Sequence, residues 1–298
     1  MVAFLAAACA PADDDGGSGR TCNGHVALCE RRLDDVVFAG AHNAMASRDD
    51  GFAAPNQFLA LPGQLRLGVR AFLLDTKAPR DGDGNSVDDG VLLCHGACSL
   101  GSITLVEELT RLKAFLDEVP DTVVQLLIQD DATIADTRAA FVAAGLVDEL
   151  YVHRDAAAPF PTLGQLIDES TRVFVTAESG VTDDDEPWYH PMFTLVQDTP
   201  FSFASLDELA AAASCAPNRG RDDSPLFLVN HWLGNPLPDD ALAPGANAFA
   251  VLDERARRCA AARGRPVSVL AVDFVDLGDV IAVVDGLNGV ASDDAVTE

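Results

Sequence analysis

Residues 105–129 read LVEELTRLKAFLDEVPDTVVQLLIQ, and the alternation they contain decides the fold. Apolar residues at 105, 109, 112, 115, 116 and 119 follow the spacing of one helix face, and Pro120 ends the run. Val123 to Gln129 is then almost continuously apolar, the pattern of a strand covered on both faces in a parallel sheet. Similar runs at Val36 to Ala39, Val69 to Asp75 and Val91 to Cys94 read as earlier strands. Later ones are Arg172 to Ala177, Phe193 to Gln197, Leu226 to Asn230 and Val267 to Asp273. Helical patterns lie between several of them, including Ile134 to Ala144 before Gly145 and Ala248 to Ala262 before Gly264. Strands and helices alternating in this way predict an α/β fold, a (β/α)8 TIM-type barrel. An open doubly wound sheet is the alternative, and no G-x-G-x-x-G after the first strand supports it.

The composition narrows the chemistry. The 298 residues carry 47 Asp and Glu against 20 Lys and Arg, a formal charge of -27, and the only lysines are Lys77 and Lys113. Phosphate backbones and anionic lipid surfaces are held mainly by Lys and Arg, so a nucleic-acid partner and a polybasic membrane anchor are both disfavoured. With 48% hydrophobic residues, the chain has enough apolar surface for a sizeable core. No repeat or linker follows residue 20, so residues 21–298 read as a single barrel domain.

Residues 1–20 read as an export-signal remnant followed by an acidic, Gly-rich linker. The apolar stretch Met1 to Ala10 is too short to span a bilayer. Leu5-Ala6-Ala7-Ala8-Cys9 is loosely similar to a bacterial lipoprotein cleavage box, with its leucine one place early. A secreted or extracytoplasmic protein is expected, with lipid anchoring through Cys9 as a variant. Six further cysteines admit many pairings. Close spacing suggests Cys22 with Cys29 and Cys94 with Cys98, leaving Cys215 for Cys259. Zinc is the competing reading, but no C-x-x-C pair exists.

Catalytic groups of a (β/α)8 barrel sit at the C-terminal ends of its strands. Those ends here read His42-Asn43, Asp75-Thr76-Lys77, His95, Gln129-Asp130-Asp131, Glu178, His231 and Asp273. Two imidazoles facing one another suit phosphodiester cleavage, one taking a proton from an attacking hydroxyl and the other protonating the leaving oxygen. The first and last strands are neighbours in a closed barrel, so Asp273 is placed to hold His42, with Asp276 and Asp279 as competitors. Period-2 alternation puts Leu73, Asp75 and Lys77 on one face of the second strand. Lys77, Arg70 and His231 are the candidate substrate-binding residues.

An ordered series of residues resembles the secreted phospholipase-C-like phosphodiesterases. It begins with Cys22-Asn23-Gly24, Leu28-Cys29 and Phe38-Ala39-Gly40-Ala41-His42-Asn43-Ala44-Met45. It continues through Asn56-Gln57, Gln64-Leu65-Arg66-Leu67-Gly68-Val69-Arg70, Leu74-Asp75, Leu93-Cys94-His95-Gly96 and Cys98. Trp188-Tyr189-His190, Asn230-His231 and Val272-Asp273-Phe274 complete it. The resemblance implies a distorted (β/α)8 barrel related to phosphatidylinositol-specific phospholipase C, with His42 as general base and His95 as general acid. It also implies a phosphodiester substrate, with phosphatidylinositol the phospholipid the relationship suggests, and peripheral or lipid-anchored membrane contact.

The same resemblance implies Asn43 and Asp75 as calcium ligands of the metal-dependent branch. This chain departs from that branch where it carries Leu73 in place of a carboxylate and Gln129 in place of a glutamate. Calcium wants six to eight oxygens with carboxylates among them, so Asn43, Asp75 and Gln129 form a poor site unless Asp130 compensates. The metal-independent branch has an arginine at the end of strand two, for which Lys77 is the substitute. A metal-dependent glycerophosphodiester or sphingolipid phosphodiesterase and a non-catalytic ligand-binding barrel are the alternatives. Asp81-Gly82-Asp83-Gly84-Asn85 begins like an EF-hand loop and then fails, with Ser86 and Leu92 at its sixth and twelfth positions. It and Asp183-Asp184-Asp185-Glu186 read as acidic loops.

Overall fold

The computed structural model describes residues 19–78, 90–179, 186–234 and 237–290. Cys9, the acidic stretch 81–85 and residues 183–185 lie outside those residues. The strands are β1 (Phe38–Ala41), β2 (Ala71–Lys77), β3 (Leu92–Leu93), β4 (Ile103–Thr104), β5 (Val124–Asp131) and β6 (Val173–Ala177). They continue as β7 (His190–Pro191), β8 (Val196–Asp198), β9 (Leu226–His231) and β10 (Val269–Val272). The helices are α1 (Leu61–Leu67), α2 (Leu105–Glu118), α3 (Ile134–Ala143), α4 (Leu163–Asp168) and α5 (Met192–Leu195). After them come α6 (Leu206–Ala210), α7 (Ala243–Ala246), α8 (Phe249–Arg263) and α9 (Val280–Asn288).

Eight parallel strands follow one another in the order β7-β6-β5-β2-β1-β10-β9-β8. The sheet curls into a distorted (β/α)8 barrel, and among the described residues β7 and β8 share no ladder at its seam. The first and last strands pair in register, Ala41 with Val272, which brings the two ends of the chain together. Gly40 makes this close approach feasible, because a Cβ there would lie 2.9 Å from Cγ1 of Val269.

Two expected strands are corrected. Val91 to Cys94 is not the third barrel strand: Leu92 and Leu93 run antiparallel to the end of β2, with Thr76 opposite Leu93, and form a short ribbon with β4. Phe193 to Gln197 is divided into the single turn α5 and β8, while His190–Pro191 supplies the remaining barrel strand. Short apolar runs do not distinguish a strand from one buried helical turn, nor one strand direction from the other.

Period 2 sorts the strand residues into two cores. Ala39, Ala41, Phe72, Leu74, Leu126, Ile128, Val173, Val175, Phe227, Val229, Leu270 and Val272 belong to the cluster shared with helices α1, α2, α3, α8 and α9. Phe38, Ala71, Leu127, Phe174, Leu228, Val269 and Ala271 belong to a second cluster, with Cys22, Leu28, Leu33, Leu163 and Leu166. Thr104 caps α2 through the backbone N–H of Glu107. The disulfides are Cys22–Cys29, Cys94–Cys98 and Cys215–Cys259, the pairing suggested by spacing. No described helix is long and apolar enough to cross a membrane.

Candidate active site

His42 leaves the end of β1 with its backbone N–H bonded to the Val272 carbonyl, so β10 sets its height. Asn43 follows at φ 45°, a left-handed conformation that Asn tolerates better than most residues. The chain therefore turns sharply at the mouth of the barrel. Nδ1 of His42 lies 2.8 Å from Oδ1 of Asp273, the residue just past β10. A carboxylate only accepts, so Nδ1 carries the proton and Nε2 is the nitrogen available for chemistry. Asn56 fixes that carboxylate in turn, donating to both of its oxygens at 3.1 and 3.2 Å while accepting from the Asn43 amide. Gln57 staples the two strand ends, donating to the His42 and Val272 carbonyls and accepting from the Val275 N–H.

The second imidazole arrives differently. His95 sits in the short loop closed by Cys94–Cys98, just beyond β3, and its Nδ1 lies 2.8 Å from Oδ2 of Asp75. The hydrogen bond to Asp75 raises the His95 pKa above its ordinary value; burial and Lys77 pull it down, and the charges of Asp75 and Asp273 push it up. The two imidazole rings are 6.3 Å apart, with planes at 69°. Trp232 lies flat against His42, its ring centroid 3.7 Å away and its plane within 4° of parallel.

These groups line a cavity of about 300 Å³ whose floor includes Leu73, Leu127, Leu228 and Met192. Opposite them is an ion cluster. Arg219 donates through Nε and Nη2 to the buried Asp198 at 2.9 and 2.6 Å, and through Nη1 to Glu178 at 2.6 Å. Its guanidinium lies 4.8 Å from the ring centroids of both Phe193 and Phe201. Burial raises the Glu178 pKa, and Arg219 opposes the shift.

The family model described as PI-PLC X 1 matches residues 28–288. The chain belongs to the PI-PLC X family. The PI-PLC X domain-containing protein 1 of Arthroderma benhamiae is 31% identical over 287 residues, covering 90% of this chain and 89% of that protein. A protein of the same organism named as an uncharacterized secreted protein is 28% identical over 284 residues, covering 88% of this chain and 61% of that protein. A solved phosphatidylinositol-specific phospholipase C from S. aureus superposes with a TM-score of 0.60 at 13% identity, covering 89% of this chain and 95% of the other, and so shares the fold.

Within this PI-PLC X barrel, His42, His95, Asp273, Asn43, Asp75 and Gln129 all line the one cavity. Asp273 rather than Asp276 or Asp279 meets His42; Asp279 instead accepts from the backbone N–H of Phe249. Four other candidates lie elsewhere, and three of them do so because of their parity or their end of a strand. Arg70 precedes β2, at the end of the barrel away from the mouth, where it donates to the Leu65 and Val69 carbonyls and burial lowers its pKa to about 10. Lys77 shares the face of Asp75 but lies two residues further out, paired with Asp131 at 3.4 Å.

His231 has the wrong parity. Leu228, Asn230 and Trp232 face the cavity, so His231 faces α7 and α8, where it bonds the Ala246 carbonyl and Arg255. Burial, reinforced by Arg255, lowers its pKa to about 3. Asp130 likewise alternates with Gln129 and points outward, accepting from Ser179 and from the Tyr189 hydroxyl at 3.1 Å. It anchors the strand end that presents Glu178.

The calcium set is correspondingly thin. Asp75 is the only carboxylate among the four candidate ligands that faces the cavity, and one of its oxygens is engaged by His95. Among the described residues no group of three or more His, Cys, Asp and Glu is arranged to hold a metal ion. These four candidate donors do not fit a hard cation that needs several charged oxygens. Arg219, Trp232 and Asn56 are site residues that strand-end reasoning missed. Trp232 directly follows β9 with the cavity parity, and that alternation is the signal that finds it.

Proposed function

We propose that this protein is a phosphodiesterase of the phospholipase C type, acting by two-histidine acid–base catalysis on a phospholipid with a hydroxyl next to its phosphate. One observation carries the reading: two imidazoles, each tied through Nδ1 to a buried carboxylate, line one cavity with their rings 6.3 Å apart. Nε2 of His42 takes the proton of the neighbouring hydroxyl, whose oxygen attacks phosphorus. Protonated His95 gives its proton to the departing alcohol oxygen, and a cyclic phosphate remains. The raised His95 pKa keeps that proton available near neutrality.

Membership of the PI-PLC X family supports a phosphoinositide-like substrate. The Glu178–Arg219 pair supports it too, because an acceptor beside a fixed donor suits a hydroxylated head group. Asp75 is the only candidate calcium-ligand carboxylate that faces the cavity, which weighs against the metal-dependent glycerophosphodiester and sphingolipid readings, and no step here passes through a metal. Three disulfides and a relative named as secreted support action outside the reducing cytosol.

The test is phosphorus NMR of products from phosphatidylinositol in mixed micelles. A cyclic phosphate is expected from the wild-type protein and none from His42→Ala or His95→Ala at unchanged melting temperature. Turnover by either variant at the wild-type rate refutes the mechanism. A wild-type protein that cleaves no phosphodiester would leave a ligand-binding barrel as the reading.

A further inference from the structure

We infer that Trp232 is a positioning residue that clamps the face of His42 and so fixes the direction of its Nε2. The inference rests on His42 being the base proposed above. A hydrogen bond at one edge, 2.8 Å to Asp273, still lets an imidazole rock about the Nδ1···Oδ1 line. The indole, 3.7 Å away and 4° from parallel, blocks that tilt from one side. Trp232 is itself buried, packed in the cluster that contains Leu226, Leu228 and Met192, so it is a firm wall. Edge and face together narrow the directions in which the ring can point.

His95 provides the contrast within the same cavity. Its bond to Asp75 is equally short, but 54% of its side chain is exposed and no indole covers it among the described residues. For His42 the corresponding exposure is 18%. The asymmetry matches the two tasks. A base must meet a hydroxyl in line for attack on phosphorus, and a misplacement of about 1 Å can cost on the order of 10²-fold. An acid follows a leaving group that moves away.

The experiment compares Trp232→Phe with Trp232→Leu. The leucine variant keeps an apolar wall without a ring face, and its kcat is expected to fall roughly 10- to 100-fold with KM within about threefold of wild type. The phenylalanine variant keeps a ring and is expected to recover most of kcat. NMR of ring-labelled histidine supplies a readout that needs no turnover. The stack shifts the His42 carbon-bound protons upfield; in the leucine variant that shift is lost and the resonance broadens as the ring rocks.

An unbroadened His42 resonance in the leucine variant overturns the clamp, whatever the activity. So does a pure rise in KM, which would make Trp232 a binding wall. If the leucine variant does not fold, the phenylalanine variant decides: a smaller upfield shift with most of kcat kept supports the clamp, and an unchanged shift overturns it. If His42→Ala retains turnover, the base assignment fails while the NMR result still judges the clamp.

Discussion

Replacing Asp273 by Asn tests the base half of the site with little change of shape. The asparagine carbonyl can occupy the place of Oδ1, keeping an acceptor for Nδ1 of His42 and for one Asn56 N–H. Its amide nitrogen then faces the other Asn56 contact, now 3.2 Å away with no acceptor. The negative charge that favours an imidazolium is gone. A hydrogen bond to a charged group contributes about 1.5–3 kcal/mol, against about 1 for a neutral one. Because the charge on His42 exists only after it takes the proton, that difference falls on the transition state. At roughly 1.4 kcal/mol per decade, that difference of about 0.5–2 kcal/mol lowers kcat about 2- to 30-fold. The assay is initial-rate cleavage of phosphatidylinositol followed by phosphorus NMR, with calorimetry confirming the fold. An Asp273→Asn protein of unchanged stability with kcat no lower than that of wild type would refute the reasoning.

Three further outcomes are expected. Asp75→Asn removes the contact that raises the His95 pKa, so the high-pH limb of kcat/KM moves to lower pH; an unmoved limb counts against His95 as the acid. Treatment with EGTA leaves turnover within about twofold, and calorimetric titration with calcium gives no heat beyond dilution, as the donor set predicts; a saturable calcium isotherm contradicts it. His190 is buried, and burial lowers its pKa to about 4 despite its bond to the Val175 carbonyl. Its unfolded form takes up a proton below the ordinary value near 6.5, so its contribution to stability is lost as pH falls from there toward 4, by about 3 kcal/mol in all. Glu108, whose pKa burial pushes up to about 8 against the pull of Arg111, acts in the opposite sense. The measurement is therefore the difference in melting temperature between wild type and His190→Gln from pH 7 to 4.5. Parallel curves would refute it.

The legible parts of this protein were those governed by local pattern. The run 105–118 becomes α2 with the boundaries its spacing predicts, and the apolar strands with polar ends are buried strands whose ends meet at one cavity. His42 with Asp273 was legible because barrel closure makes the first and last strands neighbours. The illegible parts depend on parity or on loops. Parity read from β2 places Asp75 correctly; the same parity applied to β9 and β5 separates Trp232 from His231 and Gln129 from Asp130. Arg219 lies outside any strand and is placed by Asp198 and two phenylalanines, contacts that no spacing encodes. Arg70 belongs to the opposite end of the barrel, which a list of nearby cations does not reveal.

The joining of β1 to β10 has a consequence for the order in which the site comes into being. His95 and Asp75 are 20 positions apart, whereas His42 and Asp273 are separated by 231. Every residue of the His95–Asp75 pair is in the chain once the second strand and its ribbon have been synthesised. The base half must await nearly the last strand. A chain truncated before β10 thus carries His95 with Asp75 but lacks the carboxylate partner of His42, so the two-histidine arrangement is complete only in a nearly full-length chain.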